Sequence, residues 1–202
     1  MINQNFIIVG AIIAAIGSLS YLIDTLKGKV KPNRVSYLLW SIAPLIAFVA
    51  EIKQGVGLQS LLTCVAGLLP LTVFLASFVN KKAEWKLTFF DGTCGALSCI
   101  GLILWYITQS GDIAILFSIL ADGLAALPTL IKSFNYPETE SAWPYFMSTI
   151  FGVITLLTVK EWDFATIGFP IYITLVTLTI SSLVQFKPGK VFRSYFHSAR
   201  LD

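Results

Sequence analysis

The sequence predicts an all-α integral membrane protein with seven transmembrane helices, arranged as two parallel three-helix repeats plus a linker helix (3+1+3). The 202 residues are 56% hydrophobic and only 12% charged, about half the charged fraction of a soluble domain. Apolar runs of the roughly 20-residue length that crosses a bilayer recur about seven times. The two halves of the chain also match each other at a single offset. We therefore expect lipid to be the solvent for most of the side chains.

Segments rich in charge, glycine and proline separate the apolar runs and set the helix boundaries. The predicted helices cover residues 6–23, 35–50, 58–79, 89–108, 113–132, 143–159 and 164–184. In chain order the separators are KGKVKPNR, KQGVG, NKKAEWK, QSGD, NYPETESA and KEWD. Residues 1–5 contain no Lys or Arg, whereas a secretory signal begins with a basic segment. We therefore interpret the first apolar run as a retained helix.

The positions of Lys and Arg predict the orientation of the chain in the membrane. Twelve of the 14 basic residues follow odd-numbered helices, and only Lys53 and Lys160 lie on the opposite side. We expect the N-terminus outside and the C-terminus in the cytoplasm of a multi-pass cell-membrane protein, with a prokaryotic inner or plasma membrane as the default. The net positive charge is then an orientation signal, and we expect no nucleic-acid partner. The basic tail, residues 188–202, is expected either to lie on anionic headgroups or to be disordered.

An internal repeat relates the two halves of the sequence. An offset of 105 residues pairs Pro32 with Pro137 and Trp40 with Tyr145. The same offset pairs further polar and basic positions: Ser36 with Ser141, Ser77 with Ser182, Asn80 with Gln185, and Lys82 with Lys187. Because three is an odd number of crossings, a second three-helix unit that directly followed the first would have the opposite orientation in the membrane. One linker helix between them gives both units the same orientation. The predicted units are a first triple-helix bundle (1–82), linker helix four (83–111), a second bundle (112–187) and the tail (188–202).

This layout resembles the PQ-loop superfamily, which includes SWEET sugar transporters and nicotinamide riboside transporters of the PnuC type. The Pro-Gln pair expected late in the first helix of each repeat is replaced by Ile23-Asp24 in the first repeat and Pro128-Thr129 in the second. The segments KPNRVSYLLW and YPETESAWPY look like the polar stretch that leads into the next helix. The resemblance implies a SWEET-like transporter that works by alternating access, a plan in which parallel repeats recur.

Asp122 is the most informative single position, because it lies near the middle of helix five. A charged side chain at that depth costs about 2.5–3.5 kcal/mol on insertion scales. Helical spacing puts Ser118, Ala125, Ala126 and Thr129 on the same side, so this small and polar face points inward. Asp122 is predicted to anchor donor groups or a positive charge of a substrate, or to carry a proton. The alternative is a neutral Asp hydrogen-bonded between helices.

Trp40 and Tyr145 occupy equivalent positions in the two repeats and are predicted to stack on a planar or sugar-like solute. The competing interpretation is an interfacial aromatic belt, because both lie near the cytoplasmic ends of their helices. Tyr21, Ser118 and Ser148 complete the predicted substrate-binding set.

Prolines inside the spans at Pro44, Pro128 and Pro170 each free a carbonyl and permit a kink. We predict hinges between moving bundles there, with static kinks as the alternative. The three cysteines lie in apolar runs without metal-ligand spacing, so no metal, cofactor or catalytic residue is expected.

The predicted function is transport of a small polar solute, namely a sugar, a nucleoside or vitamin, or an amine, by alternating access between the two bundles. The alternative is a membrane receptor or cargo-binding module on the same scaffold, without transport. An enzyme is not expected, because no second acid or base joins Asp122 within a span. The expected partners are a small-molecule substrate and the bilayer. One chain holds both repeats, so a monomer suffices for a pathway and a homo-oligomer is equally compatible.

Overall fold

The computed structural model describes residues 2–83, 85–108 and 111–191, without the side chains of several residues between 101 and 114. Over these residues the chain is helical and contains no strand, which confirms the all-α prediction for this part of the sequence. The helices of 17 or more residues are α1 (Phe6–Leu26), α2 (Arg34–Lys53), α3 (Ser60–Ala76), α4 (Phe89–Thr108), α5 (Gly111–Asn135), α6 (Ala142–Thr158) and α7 (Phe164–Phe186). Short 3₁₀ turns cover Lys81–Ala83 and Pro137–Thr139. The predicted tail lies outside the described residues beyond position 191.

Four helical segments are long and apolar enough to cross a bilayer: α1, α2, Ile115–Asn135 within α5, and α7. Helices α3 and α6 and the segment Phe89–Ile100 of α4 are apolar but shorter. Large apolar side chains project outward, and Ile12, Ile16 and Leu19 of α1 are each more than half exposed. A continuous apolar exterior around paired helical backbone is what a bilayer requires, so the chain has the properties of an integral membrane protein.

The ends of α3 and α5 differ from the predicted ones, and each has a structural reason. Helix α3 stops at Ala76, three residues early, and the Arg34 guanidinium donates to the Ser77 carbonyl (2.7 Å) just beyond it. This bond satisfies one of the carbonyls that a helix end leaves open. Helix α5 runs on to Asn135 and ends two residues before Pro137, since the residue preceding a proline is disfavoured in helical conformation.

The two halves of the chain repeat one packing pattern. Helices α1 and α2 both pack on α3, and α5 and α6 both pack on α7. Between the halves, α1 packs on α6 and α2 packs on α5. Exchanging the two halves therefore leaves the set of major contacts unchanged. Helix α4 lies to one side, against α5 and, less extensively, α2.

Helix α4 is fixed at its start and near its middle. The Asp91 carboxylate accepts from the Asn33 side-chain amide (2.8 Å) and from the Thr88 hydroxyl (2.8 Å). Asn33 in turn caps the first turn of α2. The Ser98 hydroxyl donates to the Ala121 carbonyl of α5 (2.7 Å). The Asp91 carboxylate thus lies in the first turn of α4, where the helix dipole favours a negative charge.

The loops after α1, α3 and α5 lie together at one end of the bundle. The Asn80 side-chain amide donates to the Leu26 carbonyl (2.9 Å), and the Lys31 backbone N–H donates to the Thr139 carbonyl (3.1 Å). We call this end, which holds most of the Lys and Arg residues, the basic end. The loops after α2 and α6 belong to the opposite end.

Pro44, Pro128 and Pro170 lie inside α2, α5 and α7. Pro70 lies inside α3. Each removes one hydrogen bond from its helix. The role of these residues as hinges stays a prediction.

Candidate functional site

A cavity of about 100 Å³ lies where the two halves of the chain meet. Its lining comes from α1, α2 and α3 of the first half and from α5, α6 and α7 of the second. Most of the lining is apolar. The polar or amphipathic side chains that border it are Ser18, Tyr21, Tyr37, Trp40, Asp122, Tyr145, Ser148 and Thr177.

Asp122 borders the cavity from α5 and is only 2% exposed. Its Oδ2 accepts a hydrogen bond from the Tyr172 hydroxyl of α7 (2.6 Å). Its Oδ1 has no partner among the described residues. Buried polar atoms are nearly always paired, so this unpaired oxygen is an exception in a residue that borders the cavity. The Asp122 backbone carbonyl accepts from the Trp40 indole N–H (3.3 Å).

The small and polar face of α5 points inward, as its spacing predicts. Ser118, Ala125, Ala126 and Thr129 are all fully buried. Thr129 donates to the Ser36 hydroxyl of α2 (3.2 Å), which joins the halves. The Ser118 hydroxyl has no partner among the described residues, but Ser118 does not border the cavity. The predicted role of Ser118 in substrate binding therefore has no geometric support.

Four buried rings form an aromatic cluster at the cavity: Tyr21, Tyr37, Trp40 and Tyr145. Tyr21 and Tyr37 stack with centroids 5.6 Å apart, and Trp40 meets Tyr37 edge-on at 5.2 Å. Tyr145 meets Trp40 at 6.4 Å and Tyr21 at 6.3 Å. These distances are typical of favourable ring pairs. Because Trp40 and Tyr145 are buried between the halves, they do not form the interfacial belt that was the alternative.

A buried ion pair lies next to the aromatic cluster, at the basic end. Glu140 and Lys132 meet at 2.5 Å, and both side chains are almost fully buried. The other Glu140 oxygen accepts from the hydroxyls of Tyr21 (2.6 Å) and Tyr145 (3.4 Å). Lys132 also donates to the Lys31 carbonyl. The pair is thus surrounded by the extra hydrogen bonds that a buried ion pair needs, and two of them cross between the halves.

Sequence reasoning treated Lys132 only as an orientation charge and did not single out Glu140, Tyr37 or Tyr172. Tyr37 carries a usable signal, because it lies three residues before Trp40 and therefore on the same helix face. Glu140 lies in a polar loop, where nothing in the sequence predicts burial. The contact between Tyr172 and Asp122 depends on how α7 packs on α5.

Glu51 of α2 is a second buried carboxylate. Its Oε1 accepts from the Thr63 hydroxyl (2.9 Å), and its Oε2 has no partner among the described residues. Glu51 does not border the central cavity. It is therefore a matched control for Asp122, with similar chemistry away from the cavity.

A polar vestibule of about 460 Å³ lies at the end opposite to the basic end. It is formed by the loops after α2 and α6, the first residues of α5 and α7, and Gln4. Its charged lining residues are Asp112, Lys160, Glu161 and Asp163. Helix α7 leads from Phe164 at the vestibule to Ile173 at the cavity, about 13 Å at 1.5 Å per residue.

The described residues contain no cluster of three or more His, Cys, Asp or Glu side chains that could hold a metal ion. Cys64, Cys94 and Cys99 are free thiols. The site's chemistry in the described part of the chain is therefore that of hydrogen bonds, one open carboxylate oxygen and aromatic surface.

No family model, curated protein or solved structure matches the chain. The resemblance to the PQ-loop superfamily therefore stays a prediction.

Proposed function

We propose that the protein is a transporter of a small polar solute, working by alternating access between two triple-helix bundles, α1–α3 and α5–α7. The observation that carries this proposal is the cavity between the halves, which is bordered by the carboxyl-bearing side chain of Asp122. Protein interiors are close-packed, so a cavity lined by six helices from both halves is not what packing alone would leave. Substrates compatible with one carboxylate and four rings are sugars, nucleosides or vitamins, and amines.

The packing pattern supports the 3+1+3 arrangement. Helices α3 and α7 occupy corresponding central places, and the crosswise contacts α1–α6 and α2–α5 correspond to each other. The sequence repeat pairs the same helices at its offset of 105 residues. We therefore favour seven crossings, with α4 as the linker, the basic end in the cytoplasm and the N-terminus outside a cell membrane.

The contacts at the basic end support a gate there. Bonds from Tyr21 to Glu140 and from Lys132 to the Lys31 carbonyl join the two halves. Tyr37 and Tyr145 are likewise joined across the halves at 3.1 Å. Opening toward the cytoplasm must break these bonds, whereas the polar vestibule lies on the other side of the cavity. The interior prolines are suited to the bending that such a movement needs.

The test begins with purified protein screened for thermal stabilisation by sugars, nucleosides, vitamins and amines. A ligand at a hundredfold excess over its Kd stabilises the folded state by about 2.7 kcal/mol. Each stabilising solute is then tested for counterflow in proteoliposomes. We expect saturable exchange that Asp122→Asn abolishes and the control Glu51→Gln retains.

Two outcomes would contradict this proposal in different ways. Saturable binding without solute exchange would favour a receptor or cargo-binding module on the same scaffold. Exchange at the wild-type rate in Asp122→Asn would keep transport but remove the role of Asp122.

A further inference from the structure

The charged groups that border the two chambers are nearly all carboxylates. Asp122 is the one carboxyl side chain in the lining described for the central cavity, and no Lys or Arg belongs to that lining. The polar vestibule has three carboxylates, Asp112, Glu161 and Asp163, against the single ammonium of Lys160. Acidic side chains therefore outnumber basic ones in both linings, and a lining with an excess of one sign of charge attracts ions of the opposite sign.

Within the part of the chain that the structure describes, no cationic side chain pairs with Asp122. Lys132 lies ten residues further along α5, about 15 Å away, and is already held by Glu140 and the Lys31 carbonyl. The Tyr172 hydroxyl neutralises neither oxygen and occupies only Oδ2. Asp122 thus carries the one carboxyl group described in the cavity lining, and a cationic ligand is the partner that best matches it.

Apart from the Ser18 and Ser148 hydroxyls, the remaining polar groups of the lining are already engaged and are poorly suited to a polyhydroxylated solute. The Tyr21 hydroxyl donates to Glu140, and Tyr37 and Tyr145 bond to each other. Thr177 is engaged by Thr149 and the Ile173 carbonyl. A sugar entering this largely apolar lining would leave several of its hydroxyls unpaired, which opposes binding.

The aromatic cluster supplies ring faces that can bind a cation in addition to the Asp122 carboxyl group. Ring faces attract cations within about 6 Å, most strongly for Trp. Trp40 is fixed beside Asp122, because its indole N–H donates to the Asp122 carbonyl (3.3 Å). Trp40 and Asp122 both border the cavity, so a cation held beside the carboxyl group can contact the indole, and its apolar substituents can contact the apolar lining.

We propose that the central cavity binds a small organic cation, with its positive nitrogen facing the Asp122 side chain and its apolar substituents against Trp40 and the neighbouring rings. This inference narrows the proposed function and rests on it. The carboxylates of the vestibule raise the local concentration of the same class of solute. Neutral sugars and nucleosides are not substrates in this scheme.

The test compares cations with neutral molecules of the same shape. Choline and its uncharged isostere 3,3-dimethylbutan-1-ol differ in one atom and in charge. Thermal stability of the purified protein is measured against each at constant ionic strength, with tetramethylammonium, N-methylpyridinium and 2-phenylethylammonium as further cations. We expect at least one cation to stabilise saturably, and choline, if it binds, to do so at least tenfold more tightly than its isostere.

Variants then locate the site of the stabilising cation. Asp122→Asn should weaken it at least tenfold, whereas Glu51→Gln should leave its affinity within twofold of the wild type. If Asp122→Asn does not fold, Trp40→Leu removes the ring and keeps the carboxylate, with an expected loss of at least fivefold. Equal binding in both site variants would overturn the assignment.

Counterflow separates failure of this inference from failure of the proposed function. Exchange of a sugar or nucleoside that none of the four cations inhibits would overturn the cation site and leave transport standing. Stabilisation by a cation that depends on Asp122, without exchange of any solute, would support the cation site and contradict transport. If no cation in the panel binds above its neutral counterparts, the inference is wrong.

Discussion

At the scale of single residues, the Tyr172 hydroxyl determines whether one or both oxygens of the Asp122 side chain lack a hydrogen-bond partner. Its hydroxyl is the one donor described for the carboxylate, at 2.6 Å from Oδ2. Replacing it with Phe keeps the ring and leaves both oxygens without a partner. A buried acceptor without a donor costs about 1–3 kcal/mol, so Tyr172→Phe should lower the free energy of unfolding by that amount.

This loss is measurable by equilibrium unfolding in detergent, with Tyr136→Phe as the control. Tyr136 is half exposed at the basic end, and its substitution should change stability by less than about 0.5 kcal/mol. Equal stability of Tyr172→Phe and the wild type would mean that Asp122 does not depend on this hydrogen bond.

The chain contains a buried and an exposed ion pair close together in sequence, which allows a direct comparison. Glu140 is buried against Lys132, whereas Glu138 meets Lys190 at 2.8 Å with both side chains half exposed. Breaking a buried pair from one side costs about 3–5 kcal/mol. We expect Glu140→Gln to lose about that much stability.

The exposed pair provides the matched control, because surface pairs contribute about 0–1 kcal/mol. Glu138→Gln should therefore lie within about 1 kcal/mol of the wild type in the same unfolding assay. Similar losses in the two variants would contradict the burial of the Glu140 pair.

The position of a single residue could be predicted from the sequence only where that position is determined by nearby residues in the chain. The inward position of Asp122 was predictable, because a carboxylate at mid-membrane depth is unfavourable when it faces lipid. Ser118 lies on the same face of α5 as Asp122 but does not border the cavity. Helical periodicity predicts which way a side chain points, but not which positions along the helix reach the cavity. Glu140 was not predictable, because its partner Tyr21 is 119 residues away in the chain.

At the scale of helices, close contact between α1 and α6 depends on a residue without a side chain. A Cβ at Gly17 would lie 2.7 Å from the Met147 Cβ and 3.2 Å from the Pro144 Cα. The second contact is with backbone, which cannot easily move away. Overpacking of this kind costs about 1–3 kcal/mol, so Gly17→Ala should be destabilising by that amount.

Gly92 in α4 is the control, because a Cβ added there meets nothing within 4 Å. Gly92→Ala should be neutral or stabilising by up to about 1 kcal/mol, since alanine favours helix over glycine. Thermal unfolding of the two variants side by side checks both signs. A Gly17→Ala variant as stable as Gly92→Ala would contradict the α1–α6 contact.

Helix existence could be predicted from the apolar runs, because each run is long and bounded by charge, glycine or proline. Helix ends could be predicted only within a few residues. The end of α3 lies beside Arg34 from another helix, and the end of α5 depends on a proline two residues beyond it. Tertiary contacts of the first kind leave no signal in the local sequence.

At the scale of the whole molecule, the repeat offset indicated which helices correspond but not how they pack. The crosswise contacts α1–α6 and α2–α5 arise from the shape of both halves together. Charge asymmetry predicts a topology that labelling can test. Residues 54 and 161 belong to the loops after α2 and α6, and residues 82 and 187 lie at the basic end.

Single cysteines at these four exposed positions, in a variant whose three native cysteines are replaced by alanine, report their side of the membrane. In intact cells a membrane-impermeant maleimide should label Gln54→Cys and Glu161→Cys. It should reach Lys82→Cys and Lys187→Cys only after permeabilisation. Labelling of positions 82 and 187 from opposite sides would show that an odd number of the helices α4–α7 cross, and would rule out the 3+1+3 arrangement.

The hydrogen bond between Tyr21 and Glu140 also has a consequence for how the protein is made. The 119 residues between them take about 6–24 s to synthesise at about 5–20 residues per second. Helix formation takes about a microsecond, so the first half is inserted and helical long before its acceptor exists. During that interval the inner face of the first half, with Tyr21, Tyr37 and Trp40, is uncovered. Because an unpaired polar group in an apolar medium is unfavourable, we expect the Tyr21 hydroxyl to have a different partner until residue 140 has been synthesised.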